Sequence, residues 1–312
     1  MTLDLFSIGS WTIFDHLMRM ERLPQEGETL PLDMPIEEME RIHYGDCSAN
    51  IAAAAAKLGL RTGLSMVVGD DFITSGYAKH LTGLGVDIAG VEVRSGERSG
   101  HSFNFFAGNR GFCVSHLGVA RDQSGWTTPL REVKRAKAVV VSEAFTPYTL
   151  AAIEHARALG RLTAINGMVA TAGTLAPRFL AAADVLFLSR GEAAALGEAF
   201  GCDSPADLLT HGPSTIVVTE GSRGSRWYVP GAETLVPAVA TEAFVDSTGA
   251  GDSFVAGALY GLVRRWQFVE AGAFAATVAS FVVEAWGCQT NLPSLEQAAS
   301  RYRLAFGKDL PR

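Results

Sequence analysis

VDSTGAGDSF, from Val245 to Phe254, is the stretch from which the architecture can be read. Asp246 ends a short apolar segment, Gly249, Ala250 and Gly251 follow, and Asp252 opens a helix whose apolar face includes Phe254, Val255, Ala258 and Leu262. Small residues at a helix start leave backbone N–H groups bare, with the positive helix end aimed at whatever lies there. This is an anion cradle. A carboxylate in the same turn adds a proton acceptor, and the pair suits phosphoryl transfer. The N–H groups of Gly249–Gly251 stabilise the moving group while Asp252 orients and deprotonates a hydroxyl. The plain alternative is a glycine-rich N-cap in which Asp252 only stabilises the first turn.

Working outward, the rest of the chain alternates strand and helix. Strands are expected at Leu5–Ile8, Leu64–Val68, Ala138–Ser142, Leu162–Asn166, Val185–Leu188 and Thr215–Thr219. Helices are expected at Ala49–Leu58, Gly76–Leu84, Thr149–Leu159, Glu192–Ala199, Ala250–Arg264, Phe268–Glu284 and Ser294–Leu304. Alternation at this spacing predicts a mostly parallel sheet covered by helices. Trp227–Val229 and Glu233–Val236 read as an antiparallel edge. Two stretches break the rhythm. Residues 21–40 carry three prolines and many carboxylates and read as an exposed excursion, whereas residues 88–115 alternate and turn like small antiparallel strands. We expect one α/β unit over residues 1–312, with a discontinuous minor β layer from about 11–44 and 88–115.

Composition narrows the class. The 312 residues include 48% hydrophobic and 19% charged side chains, enough apolar material for a sizeable core. The formal net charge of -7 argues against a general polyanion binder, so nucleic acid is not expected as a partner. No run is long and apolar enough to read as a spanning helix, and MTLDLFSIGS has no basic region like that of a secretory signal. The four cysteines, Cys47, Cys113, Cys202 and Cys288, are scattered without metal-like spacing and read as free thiols of a cytoplasmic protein.

The Val245–Phe254 segment resembles the D-T-x-G-A-G-D signature of the PfkB, or ribokinase-like, family of carbohydrate and nucleoside kinases, with Ser247 in the second position. Other elements match in order. Ser7-Ile8-Gly9 followed by Asp15 is similar to the family's first strand and its substrate-hydroxyl Asp. Gly45-Asp46-x-x-Ala49-Asn50 resembles G-G-x-x-A-N, with Asp46 replacing the second glycine. Val68–Phe72 is similar to the G-x-D turn, Thr219–Gly224 to the T-x-G-x-x-G nucleotide loop, and Gly287-Cys288-Gln289 with Leu292-Pro293 to the segment after the last long helix. No G-x-x-x-x-G-K-[ST] loop occurs in the sequence. The resemblance implies a three-layer ribokinase-like sandwich with a small β-sheet lid. It also implies ATP-dependent phosphorylation of a sugar or related polyol, a nucleoside being the alternative acceptor.

Site roles follow residue by residue. Asp15, just after strand one, either takes two hydroxyl hydrogen bonds from a polyol, as the resemblance implies, or is an exposed turn acid. Gly45 lies against the acceptor in the resemblance. Asn50, in a helix otherwise of Ala and Ile, either contacts ligand or makes a helix-end hydrogen bond. Asp46 either supplies a further acceptor to substrate or caps the Ala49–Leu58 helix. Asn104, or the rings of Phe103, Phe105 and Phe106, either close over the substrate or belong to an ordinary small-domain core. The resemblance places Ser189 where the family has Asn, and Thr219, Gly221 and Gly224 along the nucleotide. It gives Glu192 and Glu143 an action through water on nucleotide-bound Mg²⁺, places Asp246 in a loop where some members hold K⁺, and implies a homodimer through the minor β layer.

Two other classes were weighed. A dinucleotide-dependent oxidoreductase needs G-x-G-x-x-G after strand one, where the chain has Ile8-Gly9-Ser10-Trp11. A non-catalytic binding relative is favoured by Asp46, Ser189 and Ser247 and opposed by intact Asp252 and its cradle, since binding alone needs no base.

Overall fold

Eight strands lie side by side in the order Ala232–Val236, Ser225–Val229, Thr215–Thr219, Val185–Ser189, Leu162–Asn166, Ala136–Ser142, Leu3–Ile8 and Thr62–Ser65. The computed structural model describes residues 2–108 and 110–311. The last six strands of that order are parallel, and Ser225–Val229 pairs antiparallel with both of its neighbours. Burial on both faces explains the near-continuous apolar runs of the central strands.

Side chains alternate between two cores. Leu5, Ala138, Val140, Ala164, Phe187 and Val217 face one way, joining the Cys47–Lys57, Ala250–Val263 and Phe268–Val282 helices. Phe6, Ile8, Val139, Val141, Ile165, Leu186 and Leu188 face the other, against the Pro147–Ala158, Ala176–Ala182 and Arg190–Phe200 helices. The first layer is close-packed because its helices are rich in Ala and Gly. A Cβ on Gly257 would lie 2.8 Å from the Ala275 Cα, so these backbones touch.

A second sheet of four strands is built from Phe14–Arg19, His43–Tyr44, His101–Ala107 and Arg110–His116. His101–Ala107 and Arg110–His116 form an antiparallel hairpin, but Phe14–Arg19 pairs parallel to His101–Ala107. In this register Asp15, Leu17, Ser102 and Asn104 share one face, while His16, Phe103 and Phe105 share the other. Phe103 stacks on His16, and Phe105 on Phe112.

Several boundaries differ from expectation. The Leu64–Val68 strand is two strands. Thr62–Ser65 edges the large sheet, whereas Val67–Gly69 pairs parallel with Glu92–Arg94. The break is held by Ser65 Oγ donating to Gly90 O at 2.8 Å and Glu92 N donating to Met66 O at 2.8 Å. Glu92–Arg94, within the 88–115 stretch, therefore lies outside the small sheet. Ala176–Ala182 and Leu130–Arg135 are helices too short for a periodic signal.

Candidate active site

The parallel strands deliver their carboxyl ends to one edge. Thr219 pairs with Ser189, and Asn166 with both Phe187 and Ser142, so Thr219, Ser189, Asn166 and Glu143 stand along a single rim. A cleft of about 490 Å³ opens there. Its polar lining includes all four residues together with Cys47, Glu192 and Asp252, and Trp11, Phe145, Phe187 and Val255 supply apolar walls.

Asp252 reaches the cleft from the first turn of the Ala250–Val263 helix. Gly249 is the N-cap with φ +78, a left-handed conformation that favours glycine. A Cβ there would also stand 2.6 Å from the Cys288 Cβ, so the turn can approach the Gly287 loop only as glycine. Gly251 lines the cleft, and the helix start has no side-chain cap. The glycine-rich helix start read from the sequence is uncapped by side chains, with Asp252 in its first turn.

Both Asp252 oxygens face amides. Asn50 Nδ2 donates to Oδ2 at 2.9 Å and Asn166 Nδ2 to Oδ1 at 3.0 Å. Burial pushes the carboxyl up to about 7, against the pull of hydrogen bonds from Asn50, Cys47 and Asn166. Cys47 is held neutral by burial and by the charges of Asp252 and Glu143, so its thiol is a donor beside two carboxylates. A carboxylate with a pKa near neutrality, backed by donors and open to a cleft, fits a proton acceptor.

Glu143 follows the Ala136–Ser142 strand with φ +54. Its Oε2 is enclosed and makes no protein hydrogen bond, and burial, then the Asp46 and Asp252 charges, hold the carboxyl well above the usual range. Glu192 opens the Arg190–Phe200 helix in a capping box. Ser189 N donates to its Oε2 at 2.6 Å, and Glu192 N donates to Ser189 Oγ at 3.3 Å. Among the described residues, no group of three or more His, Cys, Asp or Glu is placed to hold a metal by itself.

The residues expected on the acceptor side gather around Asp15, which is buried. Ser102 Oγ donates to its Oδ1 at 2.5 Å and Cys288 Sγ to its Oδ2 at 3.5 Å. Burial raises this carboxyl to about 6. Asn104 donates to Ser102 Oγ at 2.6 Å, one step back from Asp15. Gly45 has no room for a side chain because a Cβ would run into the Asp15 carboxylate.

Of the two readings of Asp46, the structure shows the cap. Its carboxylate accepts from Ser48 N at 2.9 Å, Ala49 N at 3.3 Å, Trp11 N at 2.8 Å and the Ser48 hydroxyl. Asp46 keeps the positive φ, +76, that a glycine would take, and these bonds offset the strain. Asp246 is also engaged. Thr248 N and Oγ1 donate to Oδ1 at 2.9 and 2.6 Å, and Gly287 N to Oδ2 at 3.1 Å. Gly221 and Gly224 shape the turn after Thr219 at φ +61 and +95 but do not line the cleft.

Sequence reasoning missed Asn166, Cys47, Tyr77 and Gln289. Asn166 had a usable signal, an amide at the carboxyl end of a parallel strand. The other three come together only through contacts between distant segments.

The fold and this site together are those of a small-molecule kinase. The chain belongs to the pfkB family of carbohydrate kinases, whose family model matches residues 13–295. The nucleoside kinase of Methanothermobacter thermautotrophicus is 30% identical over 312 residues, covering 99% of this chain and 98% of that protein. The nucleoside kinase of Methanocaldococcus jannaschii, an archaeal member of the ribokinase family, superposes with a TM-score of 0.85 at 24% identity, covering 96% of this chain and 98% of that one. A Burkholderia thailandensis nucleoside kinase in complex with inosine gives a TM-score of 0.83 at 20% identity, over 98% and 99% of the two chains. The expected ribokinase-like fold is present, and the chain is a sugar or nucleoside kinase.

Proposed function

We propose that the chain transfers the γ-phosphoryl group of ATP to a hydroxyl of a nucleoside, with Asp252 as base. The observation that carries the reading is Asp252 itself: a carboxyl raised to about 7, at a helix start, facing a cleft of about 490 Å³. The 30% identity with a nucleoside kinase across nearly the whole chain favours a nucleoside over a free sugar.

In this reading Asp15 accepts hydroxyl hydrogen bonds from the sugar moiety, and the Gly45 backbone lies beside it. Asp252 takes the proton of the attacking hydroxyl while the Gly249–Gly251 N–H groups face the moving phosphoryl group. Ser189 and Thr219, on the rim, line the nucleotide, and Gly221 and Gly224 shape the adjoining turn. Mg²⁺ on the nucleotide would neutralise phosphate charge, and Glu143 and Glu192 would hold its waters. The enclosed, unpartnered Oε2 of Glu143 fits that use. Asp246, whose oxygens accept from Thr248 and Gly287, would be the side chain of the loop beside a K⁺.

The small sheet serves as a lid that keeps water from the transfer, its Asp15 face inward. Its other face, with Phe112 and Val114 exposed, is the surface for a homodimer. No helix of the described residues is long and apolar enough to cross a membrane, and a cytoplasmic place with access to ATP suits the activity.

A coupled ADP-release assay over nucleosides, sugars and phosphosugars tests the proposal. Nucleosides should stimulate ADP release most. Stimulation by sugars alone would reassign the acceptor, and no stimulation by any acceptor would favour a binding protein.

A further inference from the structure

We propose that Gln289 is a positioning residue that fixes which way round the Asn50 amide lies, so that Asn50 always presents its nitrogen to Asp252. The inference rests on the phosphotransfer reading above.

Gln289, Asn50 and Tyr77 are buried, and their hydrogen bonds run in one direction only. The Tyr77 hydroxyl donates to Gly45 O at 2.6 Å, so its oxygen is left to accept. Gln289 Nε2 meets that oxygen at 2.7 Å and must be the donor. Its second proton goes to Asn50 Oδ1 at 2.8 Å. Gln289 Oε1 then faces His80 Nε2 at 3.0 Å, where the ring nitrogen must carry the proton. With its oxygen pinned, Asn50 has only Nδ2 to offer Asp252, at 2.9 Å.

The consequence is chemical. A free amide would turn over when Asp252 becomes protonated and offer its oxygen to the new O–H. The pinned amide cannot, so it supports the carboxylate and gives the carboxylic acid no acceptor. Gln289 thus acts on the base through Asn50 without reaching the reacting atoms. A second branch of the same side chain, through Tyr77, steadies the Gly45 carbonyl beside Asp15.

The test is the pH profile of kcat/KM for Gln289→Met and Gln289→Glu, each checked for folding by thermal melting. Methionine keeps the length without polar atoms, and glutamate cannot donate to Asn50 or Tyr77. Freed to turn, Asn50 supports the ionised base less. The acid limb should move up by about one pH unit, giving about a tenfold loss near pH 6.5 and near-parental activity near pH 9. Tyr77→Phe removes the acceptor that turns Gln289 Nε2 inward, so it should raise the acceptor KM and move the acid limb the same way by less. If the Gln289 variants do not fold, His80→Leu on the half-buried rim asks the same question, because releasing Oε1 should move the limb the same way by less. An acid limb that superimposes on the parent in the folded variants overturns the inference. A parent protein inactive with every acceptor overturns the phosphotransfer reading instead.

Discussion

The Asn50 side-chain nitrogen donates to Oδ2 of Asp252 at 2.9 Å, joining positions 202 residues apart. The bond ties the Cys47–Lys57 helix to the start of the Ala250–Val263 helix and orients the carboxylate toward the cleft. Replacing Asp252 with Asn keeps the size and removes the proton acceptor. Turnover should fall about a thousandfold with acceptor KM changed by no more than a few fold, measured by coupled ADP release. In the parent, activity should fall as pH drops through about 7, where Asp252 takes up a proton. Near-normal turnover in the variant would remove Asp252 from the role of base.

Burial of Asp252 and Asp15 also couples stability to pH. Their folded-state carboxyls are raised from 3.8 to about 7 and about 6. Between these values and the ordinary one, the folded protein keeps protons that the unfolded chain has released. Stability therefore falls as pH rises through this window, by about 4 kcal/mol for Asp252. The gain in Tm of Asp252→Asn over the parent should be larger at pH 8 than at pH 5. An equal difference at both pH values would contradict the assigned shift.

Asp46 offers a separable test of strain and capping. Asp46→Ala loses the bonds to Ser48, Ala49 and Trp11 and still has to adopt φ +76. Asp46→Gly loses the same bonds but adopts that angle freely. Both should be less stable than the parent in urea unfolding, the alanine variant by about 1 kcal/mol more than the glycine variant. The reverse order would mean that φ at this position carries no strain.

Gly249→Ala puts a methyl group against Cys288 and forces a side chain into φ +78. The helix start must move and the N–H cradle with it. Turnover should fall at least about tenfold, and Tm should drop as well. Full activity would show that the cradle does not depend on this close approach.

The parallel body was legible because its strands are short apolar runs separated by helical spacing, and the Gly249–Asp252 turn because few other structures need that composition. The Leu64–Val68 break was not legible. Leu64 and Met66–Val68 read as one run across Ser65, and the cross-chain bonds of Ser65 and Met66 divide it. Around the proposed base, Asp252, Asp15 and Asn50 could be found from residue type and local context. Gln289 and Tyr77 could not, since their importance lies in partners 239 and 32 residues away. For Asp46 the sequence left cap and ligand open, and the structure shows the cap, with four donors on the carboxylate.

Asp15 and Cys288 touch across 273 residues, almost the whole length of the chain. During synthesis Asp15 is made long before the thiol that leans on it. A growing chain can therefore bury much of its sheet before this contact is able to form.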